Sequence, residues 1–307
     1  MRLIVMGQKA FGRDCLEKIL DAGHDEVVAV YCAPDDEGKG ADPLKAFALS
    51  KGLPVHQPAN LNEEPTLETL RSHDADLMVM AYTTMFAPKA ARDIPRLGSI
   101  CFHPSLLPRH RGPSALNWPI IWGETKSGFS WFYPADGLDG GDLALQWECD
   151  IGSDDTVIDL YFKKIFPAGV ESVLQVCDLF RSGNPPRVAQ DETAATYEGW
   201  CRKRHAKIDW ARPVAEVYNL IRGTNPAPGA WTTYAGSKLD IFDSRSIAGS
   251  ATGAPGEVLS LGTDGMVVAA DGGAIRVIRV RPAKGAKMPA AAWAAEAGVS
   301  PGDRLGE

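Results

Sequence analysis

The sequence predicts an α/β protein: a Rossmann-like, doubly wound, mostly parallel sheet, followed by a small C-terminal β-barrel. Three observations predict it. Short apolar runs alternate with amphipathic segments through the first half of the chain, as parallel strands buried under crossover helices do. Past residue 230 the texture changes to short β-like runs separated by glycine-rich turns. The chain has 307 residues, 45% hydrophobic and 23% charged, which is more than one minimal core needs and suggests two domains.

Residues 3–6 form an apolar strand that ends at Gly7, and Phe11, Leu16, Ile19 and Leu20 give the next segment a helical face stopped by Gly23. Residues 27–32 are a second buried strand, 43–51 a helix, 54–55 a short strand and 65–72 another helix. Strands follow at 77–81 and 100–102, then at 128–133 and 143–148 around a glycine-rich loop. From 153 the pattern is helical, with Ser153, Asp154 and Asp155 as candidate caps and Pro167 expected to kink or divide the helix. The string SGNPP at 182–186 is expected to end the first domain, and a bridge over 196–210 leads to a helix at 214–221. Strands are expected at 231–234, 239–242, 256–261, 266–270 and 274–280, with 249–256 a turn within the barrel. The domains are accordingly expected at 1–205 and 206–307.

Composition narrows the function. Thirty-two Lys and Arg against 39 Asp and Glu give a net charge of −7, which argues against a dedicated nucleic-acid binder. No stretch approaches the roughly 18 apolar residues of a membrane span, and the opening MRLIVMGQ lacks a signal-peptide layout. The six cysteines include no CxxC and no Cys/His cluster at metal spacing, so reduced thiols are expected and structural zinc is not. A cytoplasmic globular enzyme is the expectation.

Three segments can carry chemistry. Gly7 to Gly12 joins a strand to a helix; it is neither a Walker A loop nor a GxGxxG fingerprint, yet a helix N-terminus there can meet an anion. The segment 101–118, CFHPSLLPRHRGPSALNW, delivers His103 at the carboxyl end of a strand, where open α/β sheets place ligands. Pro104 and Pro108 stiffen the loop behind it. A lone histidine is as readily structural, and the sequence leaves both readings open. The loop 136–142, DGLDGGD, brings Asp136, Asp139 and Asp142, which suit a cation, a solvated turn, or the orientation of an imidazole.

These segments resemble the folate-dependent formyltransferase family. HPSLLPRHRGPSALNW followed by DGLDGGD carries the likeness, and His103 and Asp139, 36 residues apart, match the family's catalytic His–Asp pair. MGQKAFG, ADLMVMAYTTMFAPKA, DDTVIDLYFKKIFPAGV, ATYEGWCRKRHAKIDW, IRGTNPAPGAWT and GDRLGE extend it over nearly the whole chain. Within the family the likeness is nearer to the hydrolase domain of 10-formyltetrahydrofolate dehydrogenase than to methionyl-tRNA formyltransferase. The family's transferases usually carry Asn two residues before the histidine; here Cys101 stands there, as the hydrolase domain also lacks Asn. The segment 33–40 is short and acidic where the tRNA enzymes have a longer basic loop, and the basic run 202–207 suits a phosphate contact or a solvated bridge.

The resemblance implies a formyltransferase fold with an OB-like second domain, and 10-formyltetrahydrofolate as cosubstrate, with neither metal nor nicotinamide. It implies His103 and Asp139 as catalytic, with Cys101 beside them. It implies a folate grip from Thr84, Met85 and Phe86 and from Leu138, Gly140, Gly141 and Asp142, closed by Ser105, Leu106, Leu107 and Pro108. Gln8, Lys9 and Arg111 stand on the anion or acceptor side. Removal of the formyl group to water, releasing tetrahydrofolate and formate, is the expected reaction. N-formylation of an amine (methionyl-tRNA, an amino sugar or a small metabolite) and an inactive folate-binding protein are the alternatives, with tRNA the less expected partner.

Overall fold

The structure is a computed structural model that describes every residue except 36, 37, 39, 250–252 and 307. Parts of the acidic segment 33–40 and of the turn 249–256 therefore lie outside the described residues. The chain divides into two compact units. One comprises Met1–Gly112, Gly128–Glu148 and Lys164–Tyr197; the other comprises Pro113–Ser127, Cys149–Lys163 and Glu198–Glu307.

The first elements run β1 (Arg2–Gly7), α1 (Lys9–Ala22), β2 (Glu26–Tyr31), α2 (Pro43–Ser50), β3 (Val55–His56), α3 (Glu64–Ser72), β4 (Leu77–Ala81), α4 (Lys89–Arg92), β5 (Ser99–His103), α5 (Asn117–Ile121), β6 (Lys126–Phe132) and β7 (Leu143–Asp150). One seven-stranded sheet has the order β3-β2-β1-β4-β5-β6-β7. β1 pairs parallel with β2 and β4, and β4 with β5, while β6 turns back antiparallel to β5. β1 and β4 are almost wholly buried, as strands covered on both faces should be. One face packs Ile4, Met6, Met78 and Met80 against Leu67, Leu70 and Ala91. The other packs Phe102 against Phe11 and Phe129 with tilted rings and edge-to-face against Trp131. Gly23 closes α1 at φ 64°, a left-handed C-cap that glycine adopts without steric cost.

The helix expected from 153 begins later. α6 (Val157–Leu160) is capped by Thr156, whose hydroxyl accepts from the Asp159 N–H while the Asp159 carboxylate accepts from the Thr156 N–H. Asp154 and Asp155 bond instead to Tyr218 and to the Gly152 N–H. A π-helical turn over Tyr161–Ile165 then leads into α7 (Phe166–Arg181), with Pro167 in its first turn. Pro167 has no N–H to donate to the preceding turn, so the hydrogen-bond ladder is reset where the sequence predicts a division.

The remaining elements are α8 (Val214–Gly223), β8 (Ala230–Tyr234), β9 (Ser237–Ile241), β10 (Ser244–Ala248), β11 (Val258–Gly262), β12 (Gly265–Ala270), β13 (Gly273–Val277), β14 (Arg279–Pro282), β15 (Met288–Pro289) and α9 (Ala290–Ala297). They make two four-stranded sheets, β10-β13-β12-β11 and β15-β14-β9-β8. Every pairing described within them is antiparallel. Both sheets contribute to one core, with Met266, Val268 and Ile275 from the first and Leu239, Ile241 and Val280 from the second. The run 274–280, expected as one strand, is split at Ile278, which lets its two halves join different sheets. No helix among the described residues is long and apolar enough to cross a membrane.

Candidate active site

The order of the sheet reverses between β1 and β4, the place where doubly wound sheets leave a crevice at the carboxyl ends of their strands. Gln8 follows β1 and Thr84 follows β4, and the Thr84 hydroxyl donates to Gln8 Oε1 at 3.4 Å. The next strand, β5, ends on His103, which is 7% exposed. The loops after β4 and β5 therefore share one edge, while the loop after the antiparallel β6 comes to His103 through Asp139.

His103 is held by its own loop. Its Nε2 lies 2.9 Å from the His110 carbonyl oxygen. A carbonyl only accepts, so Nε2 carries the proton and the other ring nitrogen, Nδ1, is the one left to exchange with a reactant. Nδ1 lies 3.6 Å from Asp139 Oδ2. That carboxylate oxygen also accepts from the Gly112 N–H at 2.9 Å. Both His110 (φ 57°) and Asp139 (φ 51°) sit in the left-handed region, at a cost of order 1–2 kcal/mol each. Backbone in that state has to be over-determined by its surroundings.

The loop between His103 and His110 is rigid in its hydrogen bonding. Ser105 Oγ donates to the Arg109 carbonyl at 2.7 Å. Ser130 Oγ donates to the Ser105 carbonyl and accepts from the Leu107 N–H. Gln146 Nε2, from β7, donates to the Leu107 carbonyl at 2.9 Å. The Leu107–Pro108 peptide is cis. Leu106 packs at the backbone of β6 beside Gly128, while Leu107 is buried.

The loop 136–142 is fixed at both ends. Arg92, the buried last residue of α4, reaches Asp136 at 2.5 Å and holds that carboxyl below the usual carboxylate range. The Tyr133 N–H donates to the Asp142 carbonyl at 2.9 Å. A Cβ on Gly141 would stand 1.7 Å from the Tyr133 carbonyl oxygen, so only glycine fits there. Gly140 packs its backbone against the Arg111 guanidinium. Arg92 ties this loop to the end of the loop after β4 through the Ala87 carbonyl. Each of these two loops exposes a large apolar side chain, Phe86 (75%) and Leu138 (56%), while Met85 packs inward against the core.

Cys101 lies on the same side of β5 as His103, two residues earlier, and packs partly against the sheet core. Burial first, and then the Asp139 charge, push its thiol well above the ordinary range. A thiol so held is a poor nucleophile. Lys9 and Arg111 are turned to the chain's own acids. The Lys9 N–H and Nζ both meet Asp42, and Arg111 forks onto Glu192 and Gln190. The anion at this helix N-terminus is thus supplied from within.

The sequence reading missed the segment that follows α7. Gln190 bonds to the Asp139 loop and Thr196 to the His103 loop, and neither follows a strand or carries periodicity. The Asp and Thr of DETAAT mark a turn, but nothing in it names its partners.

The formyl transferase model matches residues 1–173, more than half of the chain, and the model of the formyl transferase C-terminal domain matches 201–298. The chain belongs to the formyl transferase family. Its similarity to human cytosolic 10-formyltetrahydrofolate dehydrogenase is 43% identity over 249 residues, covering 80% of this chain but 27% of that protein. The methionyl-tRNA formyltransferase of Geobacter sulfurreducens is 33% identical over 312 residues, covering 100% of this chain and 97% of that one. Among solved structures, HypX from Aquifex aeolicus in complex with tetrahydrofolic acid superposes with a TM-score of 0.67 at 19% identity, over 96% of this chain and 47% of that one. At that identity the last likeness speaks for the formyltransferase fold alone. The family assignment agrees with the resemblance given by the sequence motifs.

Proposed function

We propose that this formyl transferase family member removes the formyl group of 10-formyltetrahydrofolate to water, releasing tetrahydrofolate and formate. The observation that carries the reading is the His103–Asp139 pair. One imidazole nitrogen is committed to a carbonyl, and the other faces a carboxylate at 3.6 Å, with both side chains mostly buried. Such a pair can hold a proton and return it.

The formyl carbon is an amide-like carbonyl. Water attacks it, a C–O bond forms, and negative charge builds on the formyl oxygen. Asp139 takes the proton lost by the water, through Oδ1, which shares neither of the contacts made by Oδ2. Asp139 passes that proton to the bare Nδ1 of His103, which as an imidazolium stabilises the oxyanion and delivers the proton to the departing N10 as the C–N bond breaks. The carboxylate and the Nε2–H tautomer are thereby restored. The exposed rings and chains of Phe86 and Leu138 offer apolar surface to the planar pterin, and the backbone of 84–86 and 138–142 its polar edge.

The hydrolase reading is supported by the higher identity to the dehydrogenase and by Cys101 at a position where an amide donor would assist amine formylation. Amine N-formylation is the second reading, favoured by the end-to-end alignment with methionyl-tRNA formyltransferase. Formate release from 10-formyltetrahydrofolate, measured with and without candidate amines, tests the choice. Turnover without acceptor is expected. Formyl transfer only when an amine is supplied would overturn it.

A further inference from the structure

The segment Gln190–Thr196 holds both halves of the proposed catalytic pair, and its hydrogen bonds form a closed chain. Gln190 Nε2 donates to the Asp139 carbonyl at 2.8 Å and to the Gly141 carbonyl at 2.6 Å. Gln190 Oε1 accepts from Arg111 Nη2 at 2.8 Å, and Arg111 Nη1 reaches Glu192 at 2.9 Å. The Arg111 N–H donates to the Thr196 carbonyl at 3.0 Å. Thr196 Oγ1 accepts from the His110 N–H at 2.8 Å, and the Thr196 N–H donates to the Pro108 carbonyl at 3.2 Å. His110 in turn presents the carbonyl that fixes His103.

We infer that Gln190 and Thr196 are positioning residues: together they clamp the left-handed backbone of Asp139 and of His110, and thereby set the aim and tautomer of His103. The two strained residues lie in loops that follow different strands, and this segment bonds to both. The amide of Gln190 suits its place chemically. Two carbonyls face its NH2 and a guanidinium faces its oxygen, so the amide satisfies donors and acceptors that no carboxylate could. Thr196 gives the His110 N–H its acceptor; without it a part-buried donor would be left unmade. This inference rests on the reading that the His103–Asp139 pair acts on the formyl group.

Two nearly isosteric variants test it. Thr196→Val keeps both backbone bonds of residue 196 and removes only the hydroxyl; Gln190→Glu puts a carboxylate against two carbonyls. Each should lower kcat for formyl removal by about 10- to 100-fold with KM for 10-formyltetrahydrofolate changed less than about threefold, since orientation and not binding is lost. Thr196→Ser, which keeps the hydroxyl, should restore most of the rate. The second readout needs no activity: the ring 15N shifts of His103, which in the wild type report a proton on Nε2, should move towards a mixture of tautomers in Thr196→Val. Unchanged kcat and unchanged shifts in both variants, folded by circular dichroism, would overturn the clamp. A wild type that never releases or transfers formyl, with the shifts still moving in the variants, would overturn the catalytic reading and leave the clamp standing.

Discussion

His103 donates a hydrogen bond from Nε2–H to the carbonyl of His110, seven residues further along, at 2.9 Å. The ring is therefore not free to turn either nitrogen to a substrate. Only Nδ1 is available, on the side of Asp139.

Replacing His103 with Gln or Asp139 with Asn should each reduce formate release by about 100- to 10,000-fold, the range set by loss of positioned proton transfer. Folate binding, followed by fluorescence titration with tetrahydrofolate, should persist in both. If either variant retains near-wild-type turnover, the pair does not do the chemistry.

Cys101→Ala should change turnover less than about threefold, and no formyl-thioester should be trapped by mass spectrometry, because burial and Asp139 both keep the thiol protonated. Cys101→Asn places an amide donor two residues before His103. One well-placed donor to a developing oxyanion contributes on the order of 2 to 4 kcal/mol, so turnover should rise tens-fold or more. A dead Cys101→Ala enzyme that Asn does not rescue would require the thiol in the mechanism.

Gly141→Ala should cost about 3 kcal/mol or more in unfolding free energy, since its Cβ would meet the Tyr133 carbonyl oxygen at 1.7 Å and backbone would have to give. Gly137→Ala, four residues earlier with open space around its Cβ, should stay within about 0.5 kcal/mol. Urea titration of the two variants separates loop geometry from general intolerance of the segment.

Stability should fall on mild acidification for a reason remote from the site. His56 stacks on Tyr31, and His73 Nε2 lies 3.2 Å from the Tyr31 hydroxyl; burial lowers the pKa of both histidines. For His73 the neighbouring His56 and Arg2 add to the effect. The unfolded chain then binds more protons than the folded one between the depressed values and the ordinary value of about 6.5. Their contribution is thus fully present above about pH 6.5 and is lost as the pH falls through the folded values. The variant His56→Phe/His73→Gln should show a flatter unfolding free energy between about pH 7 and 5. An equally steep profile would assign the acid loss to other groups.

Much of the sheet was legible because its strands are buried on both faces and read as unbroken apolar runs; residues 77–81 match β4 end to end. His103 was legible as a strand end. What escaped the sequence reading depended on distance or on weak local signals. β10 is largely exposed, so its serines and arginine break any apolar alternation. α9, rich in alanine between Pro289 and Gly298, carried a helix signal of composition and capping that went unread beside the barrel strands. Gln190 and Asp139 meet across 51 residues through one amide, and no period announces such a partner.

The interleaving of the two units sets how this chain can be made and cut. Tyr218 and Arg222 on α8 bond to Asp154, to the Gly152 carbonyl and to the Asp155 carbonyl, all contributed by an excursion 64 to 70 residues earlier in the sequence. A gene fragment opening at residue 206 would express α8 without those acceptors and leave the buried Arg222 guanidinium without those two carbonyls. During translation the excursions 113–127 and 149–163 leave the ribosome well before the strands they join, and must wait for them. Proteolytic nicking between the units would accordingly release no autonomous C-terminal piece.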